Sequence, residues 1–365
     1  MGGDSTVDPA ANSSLIPTEV SAAYAALEDG YEIRSGGTGL LHQTHHLYAA
    51  GGEGFVLQRV SDVFSVAIHD NIDAVARHLA ARGVETFRLE RTRADALYTV
   101  DRDGGVWRLM TRLPGVSFDR VQSVAQVASA GELVGRFHSA LNDFDGPLAP
   151  MGIPFRDTAG YWARLESALH QHPTHPASLA VRALRDRIEA ASLGLGLPEV
   201  MRERVIHGDL KISNVLFEAE QPPGADCARA LIDFDTLLRA PLWSEWGDAW
   251  RSWCNRRGED ESVASFDLEI FEASIRGFAA GYEGQIDEKE RDSLVEATER
   301  IALQLATRYA TDALNESYFA WDTTRFSSAS EHNVLRCEGQ LSLFAAAQAT
   351  RAQRQEILAS VFALS

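Results

Sequence analysis

Lysine is almost absent from this sequence. Only Lys211 and Lys289 occur among 34 basic residues, and all the others are arginines. No apolar run approaches the roughly 20 residues of a membrane-spanning helix, so we expect no membrane partner. No G-x-x-x-x-G-K-[ST] segment occurs either, which excludes a P-loop nucleotide site. Against this composition, a lysine at position 211 points to a chemical role.

Cysteine is also scarce. Cys227, Cys254 and Cys337 form no C-x-x-C pair and leave an odd count. This pattern predicts neither structural zinc nor disulfides, and it is typical of a protein in a reducing cytoplasm. The first residues lack a basic region followed by an apolar one, so no signal peptide is expected.

Positive charge is in deficit overall, because the formal net charge at pH 7 is -18. A strongly acidic protein is a poor partner for nucleic acid or an anionic membrane. The same acidity suits a cationic small molecule as substrate. Solubility alone is an equally simple reason for it, so composition leaves the substrate open.

The order of secondary-structure signals predicts an α+β protein with two lobes, which fits a length of 365 residues. Residues 1–17 are small and polar, and we expect them to be disordered. Residues 18–113 predict a small sheet with one helix at 70–82, and they include a third strand at Phe55–Val60. Residues 114–365 are mostly helical apart from a β-rich island at 205–235. Helical spacing covers residues 121–142, 159–170, 177–193, 243–254, 262–281, 287–320 and 331–361.

The island carries the residues with the clearest chemical meaning. It reads VIHGDLKISNVLFE and, after a loop, ALIDFDT. Phosphoryl transfer requires metal ions, charge compensation and an oriented hydroxyl. Asp209 follows a glycine in a tight loop, where it can accept the proton of a hydroxyl. Asn214 and Asp233 offer hard oxygen ligands of the kind that Mg²⁺ prefers.

His207-Gly208-Asp209, Asn214 and Ile232-Asp233-Phe234-Asp235 resemble the signature of aminoglycoside phosphotransferase and choline kinase-like enzymes. The resemblance extends from about residue 30 onward. It implies the bilobal protein-kinase-like fold with ATP between the lobes and a small-molecule hydroxyl as acceptor. It also implies that Asp209 is the catalytic base, that Asn214 and Asp233 bind Mg²⁺, and that His207 braces the loop. For Asp235, metal binding and a local structural role remain equal alternatives.

Further stretches are similar to one branch of these enzymes, the N-acetylhexosamine 1-kinases. The stretches are Phe55–Val60, Gly135–His138, Pro154–Thr158, Gly247–Arg251, Tyr309–Asn315 and Tyr318-Phe319. This similarity implies a sugar acceptor, phosphorylated at its anomeric hydroxyl. The alternatives are a cationic acceptor, such as an aminoglycoside or a choline-like amino alcohol, and a nucleotide-binding pseudokinase.

The sequence departs from the kinase-like pattern at the strand lysine that contacts the α- and β-phosphates. The register of the motif places Gln58 at this position, whereas charge favours Arg59 beside it. Side chains alternate across a strand, so only one of the two faces the nucleotide. Asp70, at the start of the following helix, is the candidate acidic partner. Lys211 then becomes the candidate cation for the γ-phosphate.

Other candidates depend on weaker patterns. The glycine loop Gly36–Gly39, with Gly37 and Gly39, can cradle phosphate through backbone amides. Asp248 and Arg251 either brace the catalytic loop or contact the acceptor. We interpret the remaining histidines as strand and loop residues, the tryptophans at 243, 246, 250 and 253 as core, and Glu259-Asp260-Glu261 as a solvated face.

Overall fold

The computed structural model describes residues 15–34, 42–49, 54–196, 201–219 and 226–363. The chain divides into two compact units. The first consists of the chain up to Pro114 together with Phe144–Ile153 and Phe234–Leu237, and the second contains the rest. The segment predicted to be disordered, 1–17, lies outside the described residues up to residue 14. Ile16, however, is buried in the core of the first unit.

The first unit is built on an antiparallel sheet. Its strands are β1 Tyr31–Arg34, β2 Gln43–Ala49, β3 Gly54–Arg59, β4 Leu89–Glu90, β5 Thr99–Val100 and β6 Val106–Thr111. The strand order is β1-β2-β3-β6-β4, with β5 also paired to β6. Its helices are α1 Thr18–Ala22, a 3₁₀ turn at Ala25–Leu27, and α2 Ile68–Ala81.

Alternation along the strands determines which side chains enter the core of the first unit. On β3, Phe55 and Leu57 are buried, and Leu109 of β6 joins them. The register places Gln58 directly opposite Arg108. These two polar residues therefore share the opposite face of the sheet, because successive side chains of a strand point to opposite sides.

The second unit is mostly helical. Its helices are α3 Val124–Ala140, α4 Thr158–Gln171, α5 Ser178–Ser192, α6 Leu242–Trp253, α7 Leu268–Gly281, α8 Glu288–Ser293, α9 Ala297–Asn315, α10 Ala329–Gln348 and α11 Arg351–Phe362. Two predicted long helices are broken. The pattern at 287–320 is interrupted by a 3₁₀ turn, Leu294–Glu296, and ends where Glu316 adopts a left-handed conformation. The pattern at 331–361 divides between α10 and α11.

Glycines allow α3 and α7 to pack at very short distance. A Cβ atom on Gly131 would lie 2.1 Å from the Ser274 carbonyl oxygen, and one on Gly277 would lie 2.0 Å from that of Ala128. Only a residue without a side chain tolerates such an approach. Trp250 of α6 donates a hydrogen bond to Ser274 at 2.9 Å, so this helix pair is connected to α6.

Two short antiparallel ribbons carry the loops of the β-rich island. β7 Glu203–Ile206 pairs with β10 Leu238–Pro241, and β8 Val215–Phe217 pairs with β9 Ala228–Leu231. The predicted site residues of the island lie in the loop between β7 and β8 and in the segment that follows β9. Among the described helices, none has the length and apolar character needed to cross a bilayer.

Candidate active site

The loop between β7 and β8 brings three predicted site residues together. Gly208 has a φ of +84°, a value that glycine adopts without strain, and it turns the chain so that Asp209 follows. Nδ2 of Asn214 donates to the Asp209 carbonyl at 2.8 Å and to its Oδ2 at 3.1 Å. Nζ of Lys211 lies 3.1 Å from the same Oδ2. The loop therefore presents an acceptor carboxylate with an ammonium and an amide beside it.

Charges around Asp209 determine its protonation state. Burial raises the pKa of Asp209, but Lys211, His207 and Arg251 lower it more, so its pKa lies below the ordinary value of 3.8. Burial lowers the pKa of Lys211, whereas the carboxylates of Asp209 and Asp233 raise it above 10.5 overall. At neutral pH the pair is therefore a carboxylate, which can accept a proton, and an ammonium, which carries a positive charge beside it.

His207 connects the catalytic loop to the segment that contains Asp233. Its Nδ1 accepts a hydrogen bond from the Asp209 amide at 3.4 Å, so the proton is on Nε2. Nε2 donates to the Ile232 carbonyl at 2.8 Å. The Ile232 amide in turn donates to the Asn214 carbonyl at 3.0 Å. These bonds hold the chain before Asp233 against the chain that carries Asn214.

Two carboxylates of α6, Glu245 and Asp248, accept hydrogen bonds from the loop between β7 and β8. Sequence reasoning missed Glu245. Glu245 is fully buried and accepts hydrogen bonds from the amides of His207 at 2.9 Å and Gly208 at 3.0 Å. Asp248 accepts from the Leu210 amide at 3.1 Å. Together they satisfy three backbone amides of the loop, and so they fix its conformation.

Asp248 and Arg251 were predicted to brace the loop or to contact the acceptor, and the structure places both in a buried ion network. Arg251 donates to Asp248 at 3.2 Å and also pairs with Glu259. Arg156, which the sequence analysis did not single out, donates to the Gly208 carbonyl at 2.9 Å and lies 3.3 Å from Asp248. This network supports the loop, and acceptor contact stays a prediction.

The predicted solvated face Glu259-Asp260-Glu261 is exposed in part, and its first two members are also ion-paired. Glu259 pairs with Arg251 and accepts from the Tyr309 hydroxyl at 3.3 Å. Asp260 accepts hydrogen bonds from Arg336 at 2.6 Å and from the buried ring of His332 at 2.9 Å. Charged partners contributed by distant helices hold this acidic run in place, and one carboxylate of the run lies within electrostatic range of Asp209.

An aromatic group surrounds a cation in the second unit. The Arg308 guanidinium lies 5.5 Å from the ring centre of Tyr161, 5.2 Å from that of Tyr318 and 5.3 Å from that of Phe319. The hydroxyl of Tyr161 accepts from the Arg156 amide, so this group is connected to the brace of the catalytic loop. By contrast, the tryptophans of α6 are buried in the core, as predicted.

In the first unit, the strand position that lacks a lysine is occupied by a hydrogen-bonded pair. Oε1 of Gln58 accepts from Nε of Arg108 at 3.0 Å and from its Nη2 at 2.6 Å. Arg59 points elsewhere and lies 3.9 Å from Asp101, with 40% of its side chain exposed. The buried cation beside Gln58 is thus Arg108, which sequence reasoning missed, and the choice between Gln58 and Arg59 at the lysine position stays a prediction.

Arg108 is paired with Asp235, which the sequence left between metal binding and local structure. Nη1 of Arg108 donates to Oδ1 of Asp235 at 2.6 Å, and Nε2 of His42 lies 2.7 Å from Oδ2. Burial raises the pKa of Asp235, but Arg108 and His42 lower it well below its usual range. Oδ1 thus has a hydrogen-bond partner in the first unit and Oδ2 lies close to the His42 ring, so the Arg108 pair supports the structural role and metal binding stays a prediction. His42 is part of this network and is more than the simple loop residue that we expected.

Of the two remaining sequence candidates, one is placed outside this group and the other is not among the described residues. Asp70, the expected acidic partner on α2, is exposed, and the residue of α2 within electrostatic range of Arg108 and Asp235 is its neighbour His69. Burial lowers the pKa of His69 to about 4, so its ring is neutral at pH 7. The phosphate loop with Gly37 and Gly39 lies outside the described residues.

Residues 34–289 match the sequence model of the phosphotransferase enzyme family, APH, which is well over half of the chain. The chain belongs to this family. The predicted resemblance to aminoglycoside phosphotransferases and choline kinase-like enzymes is confirmed, and so is the prediction of a small-molecule kinase. ATP with a divalent cation is the cofactor expected of the family. The narrower similarity to sugar kinases is not confirmed.

Solved structures of other phosphotransferases share the fold, which confirms the predicted α+β class. A microcompartment-associated aminopropanol kinase aligns with a TM-score of 0.62 at 13% identity, over 92% of this chain and 97% of its own. The amicoumacin kinase hAmiN gives 0.60 at 12% identity, over 91% and 93%. An aminoglycoside phosphotransferase from Alicyclobacillus acidocaldarius gives 0.55 at 18% identity, over 99% and 98%.

The donor atoms of this phosphotransferase fit a divalent cation. The amide nitrogen of Asn214 donates both its hydrogen bonds to Asp209, so Oδ1 is the atom that would bind a metal ion. Asp233 follows β9 with a φ of +68°, a left-handed conformation that aspartate tolerates better than most residues and that is common at functional sites. A carboxylate and an amide oxygen form the hard donor set that Mg²⁺ prefers.

Proposed function

We propose that this chain transfers the γ-phosphate of ATP to a hydroxyl of a small molecule in the presence of Mg²⁺. The observation that supports this reaction is the ionised Asp209 with Lys211 and Asn214 in contact on one loop. Asp209 accepts the proton as the hydroxyl oxygen bonds to the γ-phosphorus, and the bond to the β–γ bridging oxygen breaks to release ADP. When bound at Asn214 and Asp233, Mg²⁺ neutralises phosphate charge. Lys211 offsets charge on the γ-phosphoryl group.

For the acceptor, we propose an alcohol that also carries an amino group. Two of the structural relatives are named for such acceptors, an aminopropanol and an aminoglycoside. The net charge of -18 supports the same class, because an acidic protein attracts a cationic substrate and raises its rate of association. Glu259, which is partly exposed and near Asp209, is a carboxylate of this chain that can face the ammonium.

A neutral sugar is the second candidate acceptor. Its support is the group of Tyr161, Tyr318 and Phe319 around Arg308, because aromatic faces and a guanidinium together suit the apolar face and the hydroxyls of a sugar ring. The stretches that resemble N-acetylhexosamine 1-kinases include two of these rings. A sugar acceptor would be phosphorylated at its anomeric hydroxyl.

An ADP-release assay with ATP and Mg²⁺ tests the reaction and separates the two acceptors. The panel contains aminopropanol, choline, ethanolamine, aminoglycosides, hexoses and N-acetylhexosamines. We expect turnover on an amino alcohol or aminoglycoside. Turnover on a hexose or N-acetylhexosamine alone would reverse the choice of acceptor. Binding of Mg²⁺ and ATP by calorimetry, combined with no turnover on any acceptor, would favour the pseudokinase reading.

The near absence of lysine gives a matched test of Lys211. We expect Lys211→Met to lower kcat by about 100-fold, since removing one group that stabilises transition-state charge typically costs that much. Lys289→Met, which changes an exposed lysine on α8, should leave kcat unchanged. Steady-state kinetics on the best acceptor of the panel measures both. Equal rates for the two variants would contradict the role of Lys211.

A further inference from the structure

A buried network in the first unit replaces the missing strand lysine with a different kind of contact. Gln58 and Arg108 are paired in register on neighbouring strands, and the Gln58 amide holds two donors of the guanidinium. Nε2 of Gln58 also donates to Thr44 at 3.2 Å, which fixes its amide orientation. The sequence up to Pro114 contains no lysine, so no other lysine of this part of the chain can replace the missing one.

At its other end, this network includes Asp235, in the segment that follows β9. Arg108 and His42 occupy the two carboxylate oxygens of Asp235. Nδ1 of His42 accepts from the Ser61 amide at 3.0 Å, so the proton is on Nε2, which lies 2.7 Å from Oδ2 of Asp235. The side chains of His42, Arg108 and Asp235 are 7%, 2% and 3% exposed. Every member thus has a fixed orientation.

We propose that Arg108 is a positioning residue for metal binding, acting through Asp235. This inference rests on the proposed function, because it assumes that Asp233 is a metal ligand. Asp235 is two residues beyond Asp233, and Phe234 between them packs on Phe87 with ring centres 5.0 Å apart. Anchoring Asp235 restricts the backbone that follows Asp233. Asp233 itself has a left-handed φ, which a non-glycine residue keeps only where the surrounding structure holds it.

The charge of Arg108 explains why its role differs from that of a lysine. A strand lysine in kinase-like folds contacts the phosphates directly. The Arg108 cation is already paired with a carboxylate 2.6 Å away in the same unit. It therefore orients that carboxylate, whereas a free ammonium would bind the nucleotide. Loss of Arg108 should accordingly weaken metal binding much more than it weakens nucleotide binding.

Calorimetric titrations of the full chain test this difference. Mg²⁺ is titrated in the presence of AMP-PNP, and AMP-PNP is titrated without metal. We expect Arg108→Met to raise the metal Kd by about 10- to 100-fold, the usual effect of removing a residue that orients a metal site, and to change the metal-free AMP-PNP Kd less than threefold. Arg77→Met, which changes an exposed arginine paired with Asp73 on α2, should leave both constants unchanged.

The outcomes separate this inference from the proposed function. If the parent chain binds no Mg²⁺ with AMP-PNP, the proposed function fails. If the parent binds and Arg108→Met binds metal equally well, only the positioning role is overturned. Tighter metal binding in that variant would also overturn it, since it would identify Asp235 as a direct ligand. If Arg108→Met does not fold, Asp235→Asn breaks the ion pair with Arg108 while keeping the shape of the side chain, and an unchanged metal Kd there overturns the inference.

Discussion

Replacement of Asp209 by asparagine is expected to lower kcat by at least about 1,000-fold, within the range that a general base contributes. Asparagine has the same shape and can keep the contact with Asn214, but it does not accept a proton. Binding of ATP should remain nearly intact, because the proposed metal donors are on Asn214 and Asp233. Single-turnover kinetics measures the chemical step, and calorimetry with AMP-PNP and Mg²⁺ measures binding.

The matched control for this prediction is Asp186→Asn, which changes an exposed carboxylate paired with Arg185 on α5. It should have the parental kcat and the parental nucleotide Kd. A kcat of Asp209→Asn within tenfold of the parent would contradict the assignment of the base. A loss of nucleotide binding in that variant would instead show that Asp209 contributes to the metal site.

The order of lobes and most helices could be predicted from the sequence because these signals are local. Helical periodicity at 121–142 and 177–193 corresponds to α3 and α5 within a few residues. The two long helical patterns, at 287–320 and 331–361, did not predict the points at which the helices are interrupted. The left-handed Glu316 that ends α9 is stabilised from Asp312, whose carboxylate accepts from the amides of Ser317, Tyr318 and Phe319. Hydrogen bonds between a side chain and loop amides do not alter the hydrophobic periodicity of the sequence, so periodicity does not predict them.

The candidate site divides in the same way between near and distant contacts. Asp209, Lys211 and Asn214 lie on one short loop, so their spacing in the sequence was enough to predict that they are close together. Arg108 meets Asp235 across 127 residues, and Glu245 meets the His207 amide across 38. No spacing rule connects residues so far apart. The one available signal was the absence of a lysine at Gln58, which indicated that another cation had to be present.

Loss of Glu245 is expected to have the largest effect on folding. Glu245→Ala leaves two buried loop amides, those of His207 and Gly208, without their acceptor and also removes the partner of His138. Loss of a buried, hydrogen-bonded charge costs about 3 kcal/mol or more. Urea denaturation followed by the fluorescence of Trp246 and Trp250, which lie on the same helix, measures the change. Glu272→Ala, which breaks an exposed pair with Arg276, should change the unfolding free energy by less than about 1 kcal/mol.

The pH dependence of this effect follows from the direction of the pKa shift. Burial raises the pKa of Glu245, but His138, His207 and the Gly208 amide lower it more, so the folded value lies below 4.5. The unfolded chain then binds the proton more readily, and the stabilisation present at neutral pH is lost as the pH falls below 4.5. The difference in urea midpoint between the parent and Glu245→Gln should therefore be largest at pH 7 and shrink in acid. A difference that is constant from pH 7 to pH 3 would mean that Glu245 acts through packing alone, and that the loop does not depend on its charge.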